Sequence, residues 1–565
     1  MRLTAALLPV VFCLPFPAAA ATVHVWESVE ITLSAASASA EPWPNMQVWV
    51  DLEGPGFSQR CYGFWDGGNT YRVRVQANAP GTWNWRSGSE PEDAGLAGKS
   101  GRFEAAAWTD AEKQANANRR GQVAIATGGR YFHYADGTPV LLLADTLWAG
   151  NTARCGLGRN EDGPFFRYLA DRRQKGFNTV LMEFIHGYGD YPDGQGHRNE
   201  GGYALLNRDP AQLNPAYFQA LDRRMKAITE QGFVAAVPFT WWGKTKRCVF
   251  TPDQARRISA YCAARYGTFN AIWSLSGEYQ YAFGDCGWEP RDFTRMGAEV
   301  QRHNPLRHPL SIHPSGQTRW KPPHNNQSSS PFHGESWIDH HWLQTGQSLD
   351  RLYNIATRLE ENRALKPAVP IFCSEAYYDR ATDAESTYHS RWQVWAALLN
   401  GAAGYGYGVM GMWQFYDPAD PKGETGKVQS FAVPWTEAIE FQGSAQVGHA
   451  HKLLMGLKWW NLKPQRDALL VDGKQNPMPT ASDITPPHAA KIGDATWVVY
   501  LPRGHATRSI ALPREGAAAA TARWFDPRRG EHAGKPTELT RETWVLPPRP
   551  SPADEDWVCV IKRSP

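Results

Sequence analysis

One repeated unit in the middle of the chain constrains the fold most. It consists of a helix that ends at a glycine and leads into a short apolar run. In the clearest copy, Asn214 caps a helix, Gly232 ends it, and residues 233–239 form the apolar run. The same order of signals surrounds Gly176 and Gly267. Strands that are apolar on both faces must be covered on both faces, so the repeat predicts a parallel sheet enclosed by helices.

Eight candidate strands follow this pattern within about three hundred residues, which is the size of a (β/α)₈ TIM barrel. A doubly wound open sheet is the alternative, but no Gly-rich phosphate-binding loop follows the first strand. The predicted strands cover residues 140–144, 179–184, 234–239, 271–275, 309–313, 337–341, 369–373 and 406–413.

On both sides of this barrel the pattern changes to short alternating runs broken by turn residues, which is typical of β-sandwiches. We therefore predict an N-terminal β-sandwich over residues 22–108, a barrel over 120–454 and a C-terminal β-sandwich over 455–565. The segment 109–120 is polar and Ala-rich, as in a linker. The fold class is α/β, with the barrel flanked by the two sandwiches.

The first 21 residues have the parts of a signal peptide: the charge of Arg2, an apolar run over 5–16, and small residues over 18–21. We expect the mature chain in the periplasm or outside the cell. No later apolar run is long enough to span a bilayer. The charges nearly balance, with 59 Lys+Arg against 56 Asp+Glu, so neither nucleic acid nor an anionic membrane is indicated as a partner.

Two residue types narrow the chemistry further. The 25 Trp provide flat apolar faces that suit the C–H faces of sugars, although we expect more than half of them to fill sandwich cores. Cys248, Cys262 and Cys286 are near enough in sequence to include a disulfide, and the absence of a C-x-x-C pair argues against a structural zinc site. We expect no cofactor and no metal.

Two glutamates stand where a barrel places its active site, at the carboxyl ends of strands. The fourth predicted strand leads into Glu278 and the seventh into Glu375, each inside an aromatic cluster. Strands four and seven face each other across a barrel, so the two carboxylates can flank one bond. A separation of about 5–5.5 Å suits a retaining glycosidase, in which one carboxylate is the nucleophile and the other the acid/base. The alternative for each is a salt bridge at the barrel rim.

The other strand ends supply candidate sugar contacts, although any one of them alone is more often a core or rim residue. Asp339 and His341 share a face by the two-residue period of a strand. Residues 187–207 form an insertion that either shapes the cleft or is a solvated loop; the residues just before and within it include His186, Tyr188 and Asp190. The predicted substrate-binding residues are Asp145, Trp148, Glu183, Trp241, His313, Asp339, His341, Gln344, Tyr377 and Trp413.

An ordered series of strand ends over about residues 125 to 455 resembles the apiosidase-like glycoside hydrolases, typified by glycoside hydrolase family 140. The matching stretches are Tyr131 to Pro139 leading to Ala144 to Trp148, Ile272 to Glu278, His313-Pro314, Asp339 to Gly346, Ser374 to Tyr378, and Gly401 to Gly408 leading to Trp413-Gln414.

The resemblance implies a retaining mechanism, with Glu278 at the acid/base position and Glu375 at the nucleophile position. Apiosidases carry Asp where Glu278 stands, and the strand-six Asn of their pattern is His341 here, so the sugar stays open. The N-terminal domain resembles the sandwich that often precedes such barrels. The C-terminal domain resembles a collagen-binding-type domain of this architecture, and we expect it to dock on the barrel.

Two other functions fit the same residues. One is a metal-dependent TIM-barrel hydrolase that uses Asp145, His313, Asp339 and His341. The other is an exported glycan- or collagen-binding protein without catalysis, in which Glu278 and Glu375 are structural. Carbohydrate is the expected partner in the glycosidase interpretation, and the sequence leaves the linkage and the oligomeric state open.

Overall fold

The computed structural model describes residues 22–36, 42–185, 198–239, 248, 250–316, 327–419, 433–504, 508–513, 519–539, 543–551 and 554–563. In these ranges a helix-covered parallel barrel lies between two β-sandwich domains, which confirms the predicted fold class. No helix in the same ranges is both long and apolar enough to cross a membrane.

The N-terminal domain packs a five-stranded sheet against a three-stranded one. Its strands alternate in burial, as Val48, Val50 and Leu52 illustrate, and the inward side chains form one core with the fully buried Trp83. In spatial order the larger sheet contains Thr22–His24, Ser100–Ala106, Gly81–Glu90, Gln47–Gly54 and Phe57–Tyr62, and the smaller one Val29–Ser34, Thr70–Val75 and Phe64–Trp65.

Residues 109–120, predicted as a linker, contain the helix Asp110–Ala115. Thr109 and Glu112 form a capping box at its start, which satisfies the free N–H groups of the first turn. Asn118 then donates hydrogen bonds to the carbonyls of Thr229 and Phe233 in the barrel. The segment is therefore packed against the barrel.

Eight parallel strands, labelled β1 to β8 in chain order, form the barrel in the spatial order 5-4-3-2-1-8-7-6. Between β5 and β6 the contact continues through the Ser311 hydroxyl, which donates to the His340 carbonyl. The strands are Leu142–Thr146, Thr179–Leu181, Val234–Pro238, Ala271–Ser274, Leu310–Ser311, His341–Gln344, Ile371–Glu375 and Gly404–Tyr407. The sixth lies later in sequence than predicted and the eighth earlier.

The helices around the barrel begin at the signals expected from the sequence. Pro215 follows the cap Asn214, and Thr251 with Gln254 forms a capping box. The longer helices, labelled α1 to α8, are Pro164–Gln174, Pro215–Glu230, Pro252–Tyr266, Gln280–Cys286, Pro290–Arg302, Asn354–Ala364, Ser386–Leu399 and Gln442–Met455. Shorter helices cover Pro42–Asn45, Ser329–Phe332 and Trp435–Ala438.

Side chains of the barrel strands alternate between two apolar layers. Leu142, Ala236 and Trp342 belong to the interior cluster, whereas Leu143 and Val237 pack against the helices. A small sheet of Val123–Ile125, Phe132–Tyr134 and Pro139–Val140 adds its own apolar side chains to the interior cluster. Because this sheet leads into β1, it closes the amino-terminal end of the barrel and leaves the carboxyl end for the site.

The C-terminal domain pairs a six-stranded sheet with a four-stranded one. The buried Arg391 of α7 donates to both carboxylate oxygens of Asp556 and so joins this domain to the barrel. The larger sheet contains Leu462–Pro464, His488–Ile492, Thr496–Leu501, Trp557–Arg563, Ala520–Asp526 and Glu531–Leu539, and the smaller one Lys474–Gln475, Leu470–Val471, Ile510–Pro513 and Thr543–Val545.

Cys248 and Cys286 form a disulfide, so the sequence expectation of a bond among three cysteines is confirmed for this pair. Cys286 ends α4, the helix that begins two residues after Glu278. The third member of that group, Cys262, is a buried free thiol. The bond therefore joins the segment after β3 to the segment after β4.

Candidate active site

Glu375 is the last residue of β7, and its carboxylate is held among hydrogen-bonding groups at the carboxyl end of the barrel. Its Oε2 lies 3.1 Å from Nε2 of His313. Its Oε1 accepts a hydrogen bond from Nε2 of Gln347 at 3.3 Å. Only 7% of the residue is exposed, so these partners replace most of its contact with water. A buried carboxylate held in this way is fixed in position.

Glu278 follows β4 and has an unusual backbone conformation. Its φ of 41° lies in the left-handed region, which costs a residue with a Cβ about 1–2 kcal/mol. Ser315 donates its hydroxyl to Oε1 of Glu278 at 3.4 Å, and the residue is 5% exposed. Backbone strain of this kind persists where the surrounding structure enforces it, and it is concentrated at functional sites.

One short segment contacts both glutamates. His313 and Ser315, which lie after β5, reach Glu375 and Glu278 respectively. Residues two apart in an extended chain point to the same side, so a single edge of the barrel carries both contacts. The two carboxylates therefore have neighbours in one segment at the carboxyl end of the barrel, and that they flank one bond stays a prediction.

The hydrogen bonds of Ser374 define how His313 meets Glu375. The Ser374 hydroxyl donates to the Leu343 carbonyl at 3.0 Å, so its oxygen is left to accept from Nδ1 of His313, also at 3.0 Å. The other ring nitrogen, Nε2, is thereby directed at Oε2 of Glu375, at 3.1 Å.

Tyr378 connects the candidate nucleophile to the tryptophan that follows β1. Nε1 of Trp148 donates to the Tyr378 hydroxyl at 2.9 Å. Burial, and then the charge of Glu375, raise the pKa of Tyr378 well above 10, and the phenol is within hydrogen-bond reach of that carboxylate. Since the phenol stays protonated, it is a donor that can stabilise negative charge on Glu375.

Two more of the predicted contacts lie in this group. Gln344 accepts a hydrogen bond from the backbone N–H of Gly316, the neighbour of Ser315, at 2.7 Å. The Trp413 carbonyl accepts from the N–H of Ala149, which follows Trp148, at 2.9 Å. The structure thus brings together Glu278, Glu375, Trp148, His313, Gln344 and Trp413.

Asp145 and Tyr377 have other partners, Arg172 of α1 and Asp383 of the loop between β7 and α7. The fully buried carboxylate of Asp145 pairs with Arg172 of α1, which is fully buried as well. Burial raises the pKa of Asp145, and the Arg172 charge opposes that rise. The Tyr377 hydroxyl donates to Asp383 at 2.7 Å. The ion pair of Asp145 and the hydrogen bond of Tyr377 hold both polar groups away from Glu278 and Glu375, and their assignment as substrate contacts stays a prediction.

Asp339 and His341 also lie away from the carboxyl end. Asp339 precedes β6 and accepts a hydrogen bond from the N–H of Leu310, the first residue of β5. His341 begins β6, and its Nε2 lies 3.0 Å from Nδ1 of His333. Burial, and then the neighbouring His333, lower the pKa of His341 to about 3. Both belong to the amino-terminal half of the barrel, away from Glu278 and Glu375, and their assignment as substrate contacts stays a prediction.

The two remaining predicted contacts are Glu183 and Trp241. Glu183 lies two residues beyond β2 and is completely buried. Trp241 lies outside the described residues, as do His186, Tyr188 and Asp190 of the insertion.

Sequence reasoning did not select Ser315, Gln347 and Tyr378 as site residues. All three lie within four residues of a residue that was selected, on the carboxyl side of β5, β6 and β7. The choice of Tyr377 over Tyr378 depended on the side to which each ring points, and two adjacent tyrosines give no sequence signal for that.

The four residues of the metal-hydrolase alternative do not converge. Asp145, His313, Asp339 and His341 have the separate partners Arg172, Glu375, Leu310 and His333. In the part of the chain that the structure describes, no three His, Cys, Asp or Glu side chains are grouped so that they could hold a metal ion.

Solved structures share this architecture. A Bacteroides vulgatus protein assigned as a glycoside hydrolase aligns over 96% of this chain and 100% of its own, with a TM-score of 0.69 and 16% identity. A glycoside hydrolase family 5 protein from Bacteroides vulgatus aligns over 79% of this chain and 94% of its own, with a TM-score of 0.64 and 18% identity. At these identities the likeness establishes the fold. No curated protein sequence matches the chain.

Two family models match in sequence. DUF5060, a domain of unknown function, matches residues 22–90 of the N-terminal sandwich. The model described as the apiosidase-like catalytic domain matches residues 126–461, more than half of the chain and the whole of the barrel with Glu278 and Glu375. The chain therefore belongs to the apiosidase-like family and is a glycosidase.

Proposed function

We propose that the protein is a retaining glycoside hydrolase that cleaves a plant or bacterial polysaccharide or oligosaccharide by double displacement. The observation that carries the proposal is the pair of buried glutamates after β4 and β7, both contacted by the segment from His313 to Ser315. Two carboxylates that border one cleft are the equipment that a glycosidic bond requires.

Glu375 has the role of nucleophile. His313, Gln347 and Tyr378 surround its carboxylate with hydrogen-bonding groups, which hold it in place and stabilise its charge. In the first step a carboxylate oxygen bonds to the anomeric carbon as the bond from that carbon to the leaving oxygen breaks.

Glu278 has the role of acid and then of base. In the first step its carboxyl proton goes to the leaving oxygen. In the second step the same carboxylate takes a proton from water, the water oxygen bonds to the anomeric carbon, and the bond to Glu375 breaks. The contact with Ser315 and the enforced backbone conformation fix the direction from which Glu278 acts.

The sugar is proposed only as a class. The Glu at position 278, where apiosidases carry Asp, extends the acid by about one methylene, which favours a cleft shaped for a different sugar or linkage. The signal-like sequence of residues 1–21 supports action outside the cytoplasm, in the periplasm or after secretion.

The test is a glycan screen against pectic, arabinan and bacterial polysaccharides, run on the wild-type protein, Glu278→Gln and Glu375→Gln. We expect a released sugar whose anomeric configuration, followed by NMR from the first turnovers, is that of the substrate. Each variant should lose several orders of magnitude in kcat with a nearly unchanged thermal midpoint. The matched control is Glu361→Gln, a surface glutamate of α6 that pairs with Arg358.

Rescue by azide would separate the two roles. Azide in place of water should give a glycosyl azide of retained configuration with a small variant of Glu278 and of inverted configuration with a small variant of Glu375. Inverted product from the wild-type protein, or full turnover by Glu375→Gln, would overturn the assignment.

A further inference from the structure

A cleft of about 560 Å³ lies at the end of the barrel opposite to Glu278 and Glu375. Its walls include Arg130 before the small-sheet strand Phe132–Tyr134, Leu141 just before β1, Arg363 at the end of α6 before β7, and Gly401 before β8. The remaining wall comes from Trp459 to Lys463 and from Gly493 and Asp494 of the C-terminal domain. The cleft is therefore a seam between the amino-terminal end of the barrel and the six-stranded sheet, remote from the active-site end.

Positive charge in this seam is not balanced by its own residues. Within the described ranges, the Arg363 guanidinium makes no hydrogen bond and no ion pair, although the residue is half-buried. Arg130 reaches only the backbone carbonyl of Arg363, at 3.2 Å. Burial, and then the charge of Arg130, lower the pKa of Arg363, and the charge of Glu360 outside the cleft opposes them. Lys463 adds a third cation, and the one acidic lining residue among those described, Asp494, is fully exposed.

Aromatic rings stand beside these cations. The ring of Trp459 lies edge-on to those of Tyr131 and Trp460, at centroid distances of 5.9 and 6.3 Å. Tyr131 and Trp460 are partly exposed in the cleft. Guanidinium groups bind carboxylates in bidentate fashion, and aromatic faces suit the C–H faces of a sugar ring. The combination is complementary to a sugar that carries a negative charge.

A second cleft of about 490 Å³ extends the same charge. It is lined by Lys452, Arg523 and Lys562, with His449 and His532, and none of its described lining residues is acidic. The two clefts are neighbours, since Leu453 at the end of α8 lines one and Leu454 the other. The backbone pairing of Thr496 with Lys562 also joins the turn at Gly493 to the second cleft.

We propose that this seam binds an acidic saccharide chain, of the uronate-bearing kind, at a site separate from the catalytic one. The charge favours an acidic glycan over a neutral one, and the aromatic rings favour a sugar over an inorganic anion. The proposal rests on the glycosidase activity of the family, and it does not depend on the roles that we assign to Glu278 and Glu375. The site would hold a polymer against the enzyme while another stretch of chain is cleaved.

Binding of a short linear oligouronide, measured by isothermal titration calorimetry in a Glu375→Gln background, tests this site without hydrolysis of the probe. We expect the double variant Arg130→Gln/Arg363→Gln to raise Kd at least about tenfold, and added NaCl to do the same. A neutral oligosaccharide of equal length should bind weakly. Arg86→Gln, an exposed arginine of the N-terminal sandwich, is the matched control and should leave Kd unchanged.

Two further outcomes decide the matter. Trp460→Ala should weaken oligouronide binding while kcat on a small substrate stays at the wild-type value in an otherwise unaltered protein, which distinguishes the seam from the active site. An unchanged Kd in the double arginine variant would overturn the proposal. So would binding to vesicles rich in anionic lipid together with no binding of the oligouronide.

Discussion

Nε2 of His313 lies 3.1 Å from Oε2 of Glu375, and the other ring nitrogen of His313 lies 3.0 Å from the Ser374 hydroxyl. We therefore expect the histidine to be a positioning residue for the candidate nucleophile. The hydrogen bond through Nε2, and not the bulk of the ring, should hold Oε2 of Glu375 in one place.

Replacement of His313 by Ala should lower kcat by about 10²–10³-fold, the usual cost of one preorganised donor at a reacting group. Gln places an amide N–H near the position of Nε2 and should restore part of the loss, whereas Leu should not. Steady-state kinetics on the substrate found in the screen provides the measurement. Equal activities for the Gln and Leu variants would mean that the donor is irrelevant.

Tyr378 and Tyr377 form a matched pair for a test of the site. Removal of the Tyr378 hydroxyl takes a donor away from Glu375 and should reduce kcat by about ten- to a hundredfold with little change in KM. Removal of the Tyr377 hydroxyl breaks only its hydrogen bond to Asp383. We therefore expect Tyr377→Phe to keep its kcat, and the reverse order would refute our placement of the two rings.

The left-handed backbone at Glu278 predicts that this residue, which we expect to be needed for activity, lowers the stability of the protein. Glycine adopts this conformation without penalty, so Glu278→Gly should be more stable than Glu278→Ala by about 1 kcal/mol. Both variants should be inactive. Urea denaturation of the two variants measures the difference, and Glu361→Gly against Glu361→Ala on helix α6 should give the opposite sign.

Asp145→Asn should destabilise the protein through Arg172. The substitution removes one of the two carboxylates that pair with the fully buried Arg172, and Asp171 remains as the other, so the cost should be about 1–3 kcal/mol. Because the pair lies in the helix layer, the molecules that remain folded should keep a near wild-type KM. A large rise in KM without loss of stability would return Asp145 to the substrate cleft.

Buried neutral histidines make stability depend on pH. Burial lowers the pKa of His340, His341 and His488 to about 3, against about 6.5 in an unfolded chain. Their contribution is therefore fully present above pH 6.5 and is lost as the pH falls towards 3. Each should add a slope of about 1.4 kcal/mol per pH unit to the free energy of unfolding. Denaturation at pH 7, 6 and 5 measures the slope, and a flat profile would contradict the prediction.

The sequence predicts the barrel and the positions of both glutamates well, because helix caps, glycine stops and apolar runs are local signals. It does not predict which face a strand residue takes. In a barrel both faces of a strand are buried, so the apolar pattern does not show which residues face the interior and which face the helices. The sixth strand begins at His341, where the prediction had it end. Trp342 and Gln344 face the barrel interior, and His341 faces the other way, where it contacts His333.

For the same reason the sequence does not show which way the side chains of Asp145 and Tyr377 point. Each stands at the correct end of a strand, and each turns to the helices because its neighbour, Ala144 or Tyr378, occupies the interior. Long-range partners decide such cases, and Arg172 and Asp383 are not marked in the sequence as partners. The contact of His313 with Glu375 is likewise a property of the closed barrel and of no local motif.

The disulfide between Cys248 and Cys286 makes the substrate end of the barrel sensitive to where the chain is made. The five other described cysteines are buried thiols, so oxidative folding has one accessible pairing to find. A chain prepared in a reducing cytoplasm lacks the link between the segment after β3 and the helix after Glu278. We therefore expect preparations from reducing and oxidising hosts to differ at this end of the barrel, and activity assays should begin with the oxidised form.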